Sequence, residues 1–293
     1  MKKIGNFFFT FLPCLLCIGL QLLAMSFVVG IEILQLLYTK STSGSLSDFL
    51  NQLNDILTSD TFLSLSTIFY GVIATIVFGF WYCKKYVAPR TQRIPFRALT
   101  HPMMILAIPF LAFGLQYLCN YLVTLLGYLD PSWLHQYESL IDTAGLNNPS
   151  PLLFAYAVFA APLNEELAFR GVTLSHARQH MPFWFANTLQ ALMFGLLHMN
   201  IIQGTYAFLI GLFLGSICAY GGSIFFSMLF HICFNLLGTV HIDLTQIFGN
   251  GTFGELSIFV LSILFTGIGM LFYHIGLTKR PYALQAEHQS SNY

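Results

Sequence analysis

Three short polar clusters interrupt otherwise apolar stretches of this 293-residue chain. They are Glu165-Glu166-x-x-x-Arg170, Phe194-x-x-x-His198 and His231-x-x-x-Asn235. Carboxylates and imidazoles are the side chains that move protons near neutral pH, activate water or ligate zinc. Inside an apolar span such groups are expensive, so they mark function by default. On a helix Glu166 and Arg170 stand four residues apart, acid before base, the favourable order for a pair. Glu165 is rotated about 100° from Glu166 and has no such local partner. His231 and Asn235 share one helix face, as do Phe194 and His198.

These groups must be brought together by the elements that carry them. The polar stretch Arg178-Gln179-His180, ending at Met181-Pro182, reads as the turn of a helical hairpin. Positions 165 and 198 are centred on 181.5, within that turn. Two antiparallel helices meeting there place Glu165 and His198 at one height, since both rise about 1.5 Å per residue. His231 lies nine residues beyond Gly222, roughly 13 Å into its own span. The three clusters therefore reach a common depth if the hairpin extends about two turns past the membrane boundary.

Composition gives the setting. Of the residues 56% are hydrophobic and 8% charged, with a mean hydropathy of +0.70. A soluble domain carries roughly 25% charged residues. Lys+Arg and Asp+Glu are 12 each, which leaves no basic stripe for nucleic acid and no acidic tail. The expectation is an all-α, polytopic membrane bundle, one domain over 1–293, with no nucleic-acid partner. A bilayer core needs about 20 apolar residues per helix. Eight segments qualify: 7–38, 61–83, 103–126, 151–172, 183–199, 206–220, 223–240 and 256–277. The first follows Lys2-Lys3, but its apolar run is about twice the length of a signal-peptide core, so it reads as a retained helix.

Orientation follows from the basic residues. With both termini cytoplasmic, Lys2, Lys3, Lys84, Lys85, Arg90, Arg93, Arg97, Arg170, Arg178, Lys279 and Arg280 fall on the inner side, and only Lys40 outside. Asp48, Asp55, Asp60, Asp130, Glu138, Asp142, Asp243 and Glu255 fall outside. Residues 46–57 form an amphipathic pattern, with Leu46, Phe49, Leu50, Leu53, Ile56 and Leu57 on one face, and read as an interfacial helix. Glu32 and His274 lie near span ends, where they can snorkel. His176, His180, His241 and His288 are expected in solvated loops or interfaces. The six cysteines sit in or beside apolar runs and read as packing residues.

The three clusters, in this order and with Gly171 after the arginine, resemble the motifs of the CPBP family, the CAAX-type endopeptidases and bacteriocin-processing relatives also called Abi. The resemblance covers about 155–240, taken as the catalytic core. It implies an eight-helix bundle with an intramembrane proteolytic site in the cell membrane. Glu165 would be the general base for a water held between it and His198. His231 and Asn235 would donate to the oxyanion of the tetrahedral intermediate. Glu166 and Arg170 would hold Glu165 in place. No cofactor is required in that reading. The alternative is a metalloprotease with Zn on Glu165, His198 and His231, a recognised ligand set. Asn235 is a poor zinc ligand and a good oxyanion donor, and no H-E-x-x-H is present.

The implied substrate is a peptide or a lipid-anchored protein presented from the cytoplasmic side. Compact loops suggest a prokaryotic chain, which argues against a prenylated substrate. Two other functions use the same composition. One is a non-proteolytic scaffold or bacteriocin-immunity protein, which has no need of an unpaired Glu165 in lipid. The other is a proton-coupled transporter, disfavoured by the lack of repeat symmetry and by Asn235.

Overall fold

Backbone polar groups in a chain this apolar must be satisfied internally, and helices do this within one segment. The computed structural model, which describes residues 2–39, 45–89, 94–240 and 242–282, is 87% helical, with no strand among the described residues. Lys40, Arg90, Arg93, His241 and His288 lie outside the described residues. The chain opens with α1 (Lys2–Phe9) and α2 (Leu12–Thr39). They are separated at Thr10 and Phe11 because Pro13 has no N–H to continue the ladder. The amphipathic segment is α3 (Leu46–Leu57), started by a reciprocal cap between Ser45 and Asp48 and burying none of its residues. Next come α4 (Asp60–Tyr82), which runs on through a π-turn at Cys83–Val87, the short α5 (Phe96–Leu99), α6 (Pro102–Leu129) and α7 (Pro131–Thr143).

The helix bearing the first motif is α8 (Pro151–Ala177). Ser150 caps it by accepting from the Leu153 amide, and Pro151 opens its first turn. It is followed by α9 (Phe183–Leu197), α10 (Ile201–Gly221), α11 (Ile224–Val240), α12 (Thr245–Phe248) and α13 (Thr252–Lys279). Gly222, at φ +72°, makes the left-handed stop between α10 and α11.

Among the described residues six helices are long and apolar enough to cross a membrane, which makes this a multi-pass membrane protein. Two further apolar helices, Phe183–Leu197 and Ile224–Val240, are shorter. These two carry the second and third motifs. The 15 residues of α9 rise about 22 Å, less than a ~30 Å bilayer core. His198 caps its end and is half-buried.

Around α8 pack α2, α4, α9 and α11, while α6 and α13 form a close pair on the far side of α11. In that pair a Cβ on Gly276 would collide with Met104. One core cluster runs through the bundle from Cys17 and Phe78 to Phe169, Leu214 and Phe230. Charge separates along its length. At one end Lys85 covers the Phe9 ring, Arg178 the Phe183 ring, and Arg280 donates to the carbonyls of Tyr220 and Gly221. At the other, Tyr121 donates to Glu255, and Asp243 follows the end of α11.

One expectation is corrected. His176 is not solvated: it is buried, its Nε2 lies 3.0 Å from the Asn6 carbonyl, and its ring lies 4.8 Å from Phe9. The reason is length. The helix expected to stop at residue 172 continues to Ala177, so His176 meets α1 instead of a loop. His180 is exposed, as expected. All six cysteines are free.

Candidate active site

The local geometry of α8 departs from a plain helix in two places. Tyr156–Ala160 and Leu167–Leu174 are π-helical and flank the α-helical turn Ala161–Glu166. Such widened turns often occur at functional sites. The second is supported by hydroxyls five residues ahead: Thr173 Oγ1 donates to the Ala168 carbonyl and Ser175 Oγ to that of Arg170. A tilted turn between Ala177 and Phe183 reverses the chain, and the Phe169 and Phe194 rings then meet edge to face at 5.2 Å. That pair is centred on 181.5, the same point as Glu165 and His198.

Glu166 and Arg170 are both fully buried, with Arg170 Nη1 donating to Glu166 Oε1 at 2.8 Å. His231 Nδ1 reaches the same oxygen at 3.0 Å. The acid–base pair thus orients His231, where the expectation from the sequence is that it holds Glu165. Arg170 is also held from its other side. Its Nη2 donates to the Gly211 carbonyl at 3.3 Å, and its guanidinium lies 4.6 Å from the Phe194 ring centroid. Buried charge is tolerable only with such multiple partners.

Phe194 is the hub of the cluster. Its ring stands edge to face with His198 at 5.0 Å and with His231 at 5.9 Å. Through it the three motifs touch. Glu165 is the open member: its side chain is 20% exposed and its Oε2 lies 3.6 Å from His231 Nε2, too far for a hydrogen bond. Asn235, one turn from His231 on α11, donates from Nδ2 to the Ala157 carbonyl of α8 at 2.9 Å.

Partners fix the hydrogens on both imidazoles. His198 Nδ1 lies 2.8 Å from the Phe194 carbonyl, which only accepts, so Nδ1 carries the hydrogen. His231 Nδ1 faces a carboxylate already paired with Arg170, so the same holds there. In each neutral ring Nε2 is then the lone-pair nitrogen. Only a doubly protonated His231 can donate from Nε2. Anchored Nδ1 atoms are also what zinc-ligating histidines show. Among the described residues no group of three His, Cys, Asp or Glu side chains is arranged as a metal site.

Sequence analysis passed over one buried support. Gln190 precedes Phe194 and His198 at four-residue steps on the same face of α9. Its Nε2 donates to Asn187 Oδ1 at 2.8 Å and to the Gly211 carbonyl at 2.9 Å, the acceptor shared with Arg170. Its sequence signal is only that of a neutral polar residue inside a span, weaker than that of an ionisable group. The π-turns left no such trace.

No curated protein and no solved structure matches this chain. A family model does, over residues 147–237, and its description is type II CAAX prenyl endopeptidase, Rce1-like. The segment from the start of α8 to Asn235 and just beyond, with all three motifs, is therefore similar to the Rce1-like CAAX endopeptidases, consistent with the CPBP/CAAX protease family.

Proposed function

We propose that this protein is an intramembrane endopeptidase that hydrolyses a peptide bond in a peptide or membrane-anchored protein, using a water activated by Glu165 and His198. One observation carries the reading. Of two adjacent carboxylates, Glu166 is engaged by Arg170 and His231, while Glu165 is left partly exposed, 3.6 Å from His231 Nε2. One acid builds the site and the other is available for chemistry.

In this mechanism the His198 Nε2 lone pair accepts one hydrogen of the water and orients it. Glu165 takes the other proton as the oxygen attacks the scissile carbonyl. The resulting oxyanion accepts from the second N–H of Asn235 and from Nε2 of a doubly protonated His231. That imidazolium, with Arg170, balances the charges of Glu165 and Glu166, a condition favoured in a low-dielectric site. As the C–N bond breaks, Glu165 returns its proton to the leaving amine, and the products are a free carboxyl and a free amine. No metal takes part in these steps.

The core is the 155–240 segment, within a single membrane domain spanning 1–293. Both termini and the Lys85–Arg280 end face the cytoplasm of a cell membrane, by the excess of basic residues there. The substrate is a peptide or lipid-anchored protein entering from that side. The family similarity adds a prenylated tail as a candidate anchor.

Cleavage of a fluorogenic peptide library by the purified protein in liposomes tests the reading. Wild type is compared with Glu165→Gln, with and without a chelator. Turnover lost in the variant and unaffected by chelator supports the metal-free mechanism. Turnover lost to chelator rejects it in favour of zinc on Glu165, His198 and His231. Wild-type cells and Glu165→Gln cells sharing one phenotype, with no turnover by either protein, would favour the scaffold or immunity function.

A further inference from the structure

Pro162 lies in the α-helical turn between the two π-turns of α8, three residues before Glu165, and is buried. It has no N–H, so one carbonyl of the preceding turn must go without a backbone donor. The register shows which. Just before it, the Ala161 N–H reaches back five residues to the Tyr156 carbonyl. The next step of that ladder would pair residue 162 with Ala157, and proline cannot make it. The Ala157 carbonyl is instead met by Nδ2 of Asn235, at 2.9 Å, from a helix 78 residues further along the chain.

We propose that Pro162 is a positioning residue for Asn235: by leaving the Ala157 carbonyl open, it anchors the Asn235 amide and so aims that side chain's second N–H. The inference rests on the endopeptidase reading, in which that N–H meets the oxyanion. The physical reason is planarity. A carboxamide nitrogen carries two hydrogens in one plane, so holding the first on a rigid carbonyl fixes the direction of the second. Asn235 otherwise has a rotatable amide on a helix face. With Ala157 on α8 as its anchor, its direction is referred to the same helix that carries Glu165. The general base and the oxyanion donor then keep their relation even if α11 shifts slightly. Preorganised donors are effective because they need no reorientation during reaction.

Pro162→Ala restores an N–H that competes for the Ala157 carbonyl. In liposome-reconstituted protein, kcat is expected to fall at least tenfold while KM stays within twofold, because substrate binding is untouched. Asn235→Ala is expected to lower kcat further, and the double variant to match Asn235→Ala alone, since Pro162 acts only through that amide. Thermal unfolding gives a second readout that does not involve cleavage. Asn235→Ala should lower the midpoint in the wild-type background, where it strands a part-buried carbonyl, and lower it much less in Pro162→Ala, where residue 162 supplies a donor.

An unchanged kcat in Pro162→Ala, with Glu165→Gln inactive, overturns the positioning role. Additive losses of kcat do the same. Equal midpoint losses in the two backgrounds show that residue 162 and Asn235 do not share the carbonyl, and also overturn it. If wild type shows no Glu165-dependent turnover, the endopeptidase reading fails, and with it the catalytic use of the anchor. The thermal cycle then decides the Pro162–Asn235 link by itself, in either direction.

Discussion

Glu166 and Asp243 are both carboxylates held by several donors, and they sit in different parts of the bundle. Glu166 is fully buried, and its donors are Arg170, one helical turn away, and His231, 65 residues away. Asp243 is in the turn before α12, exposed, and its donors are the Thr245 amide at 3.0 Å, the Thr245 hydroxyl at 2.6 Å and the Gln246 amide. Asp243 could make those bonds in an isolated turn. Glu166 could not, because half its partners come from another helix. A similar contrast holds for the neighbouring acids. Glu255 accepts from Tyr121 at the open rim of a cavity of about 350 Å³, whereas Glu165 stands beside the buried His231 imidazole. Polar groups at the rim have water as an alternative partner, so their bonds add little. Glu166 and Arg170, fully buried, have none, so each bond they make constrains the fold.

Substitutions at the two regions should therefore separate widely. Glu165→Gln keeps shape and hydrogen-bonding capacity but removes the base, and turnover should drop about 10³-fold with the unfolding midpoint unchanged. A peptide-cleavage assay beside a thermal melt reads both; retained turnover would remove Glu165 from the mechanism. Arg170→Ala leaves Glu166 buried without its cation and should destabilise the protein by about 3–5 kcal/mol, with loss of expression or a much lower denaturation midpoint. A stable, active Arg170→Ala protein would mean that the buried pair is not the support described here.

Gln190→Leu fills the space but leaves Asn187 Oδ1 short of a donor and weakens the hold on the Gly211 carbonyl. It should destabilise by about 1–3 kcal/mol, measured by denaturation in detergent. Turnover should fall only modestly, because Arg170 keeps Glu166. The smallest effect is expected at the rim. Thr245 donors hold the Asp243 carboxyl below the usual aspartate range. Its contribution is thus present above the ordinary pKa of 3.8 and is lost as pH falls through the lower folded value. Asp243→Asn should abolish that small acid-limb dependence and leave turnover at neutral pH as in wild type. A loss of turnover comparable to that of Glu165→Gln would erase the distinction between the two regions.

The sequence was most legible where periodicity and polarity act locally. The amphipathic pattern at 46–57 is α3 to the residue, since its cap, Ser45 with Asp48, and its apolar spacing are both local signals. The hairpin turn near residue 181 was readable from its polar residues, and the Phe169–Phe194 contact has the register those residues imply. Helix ends were less legible. The segment expected to end at 172 runs to Ala177, and that expected to begin at 206 starts at Ile201, where Asn200 caps it by accepting from the Gln203 amide. Hydropathy averages over several residues and does not see a single cap.

By itself, the sequence determined that this is a helical membrane protein and that Glu165, Glu166, Arg170, His198, His231 and Asn235 stand out from their apolar surroundings. Both follow from composition and from spacing within one helix. Tertiary structure alone decided what those residues touch. It gave Glu166 to His231, left Glu165 open, set Phe194 between the motifs and tied Asn235 to the carbonyl that Pro162 leaves free. Apart from Phe194–His198 on one helix, these contacts join residues 37 to 78 positions apart across helix faces whose rotation depends on two π-turns. A widened turn changes which face a side chain occupies, and it arises from packing and from a missing N–H, which no local periodicity records.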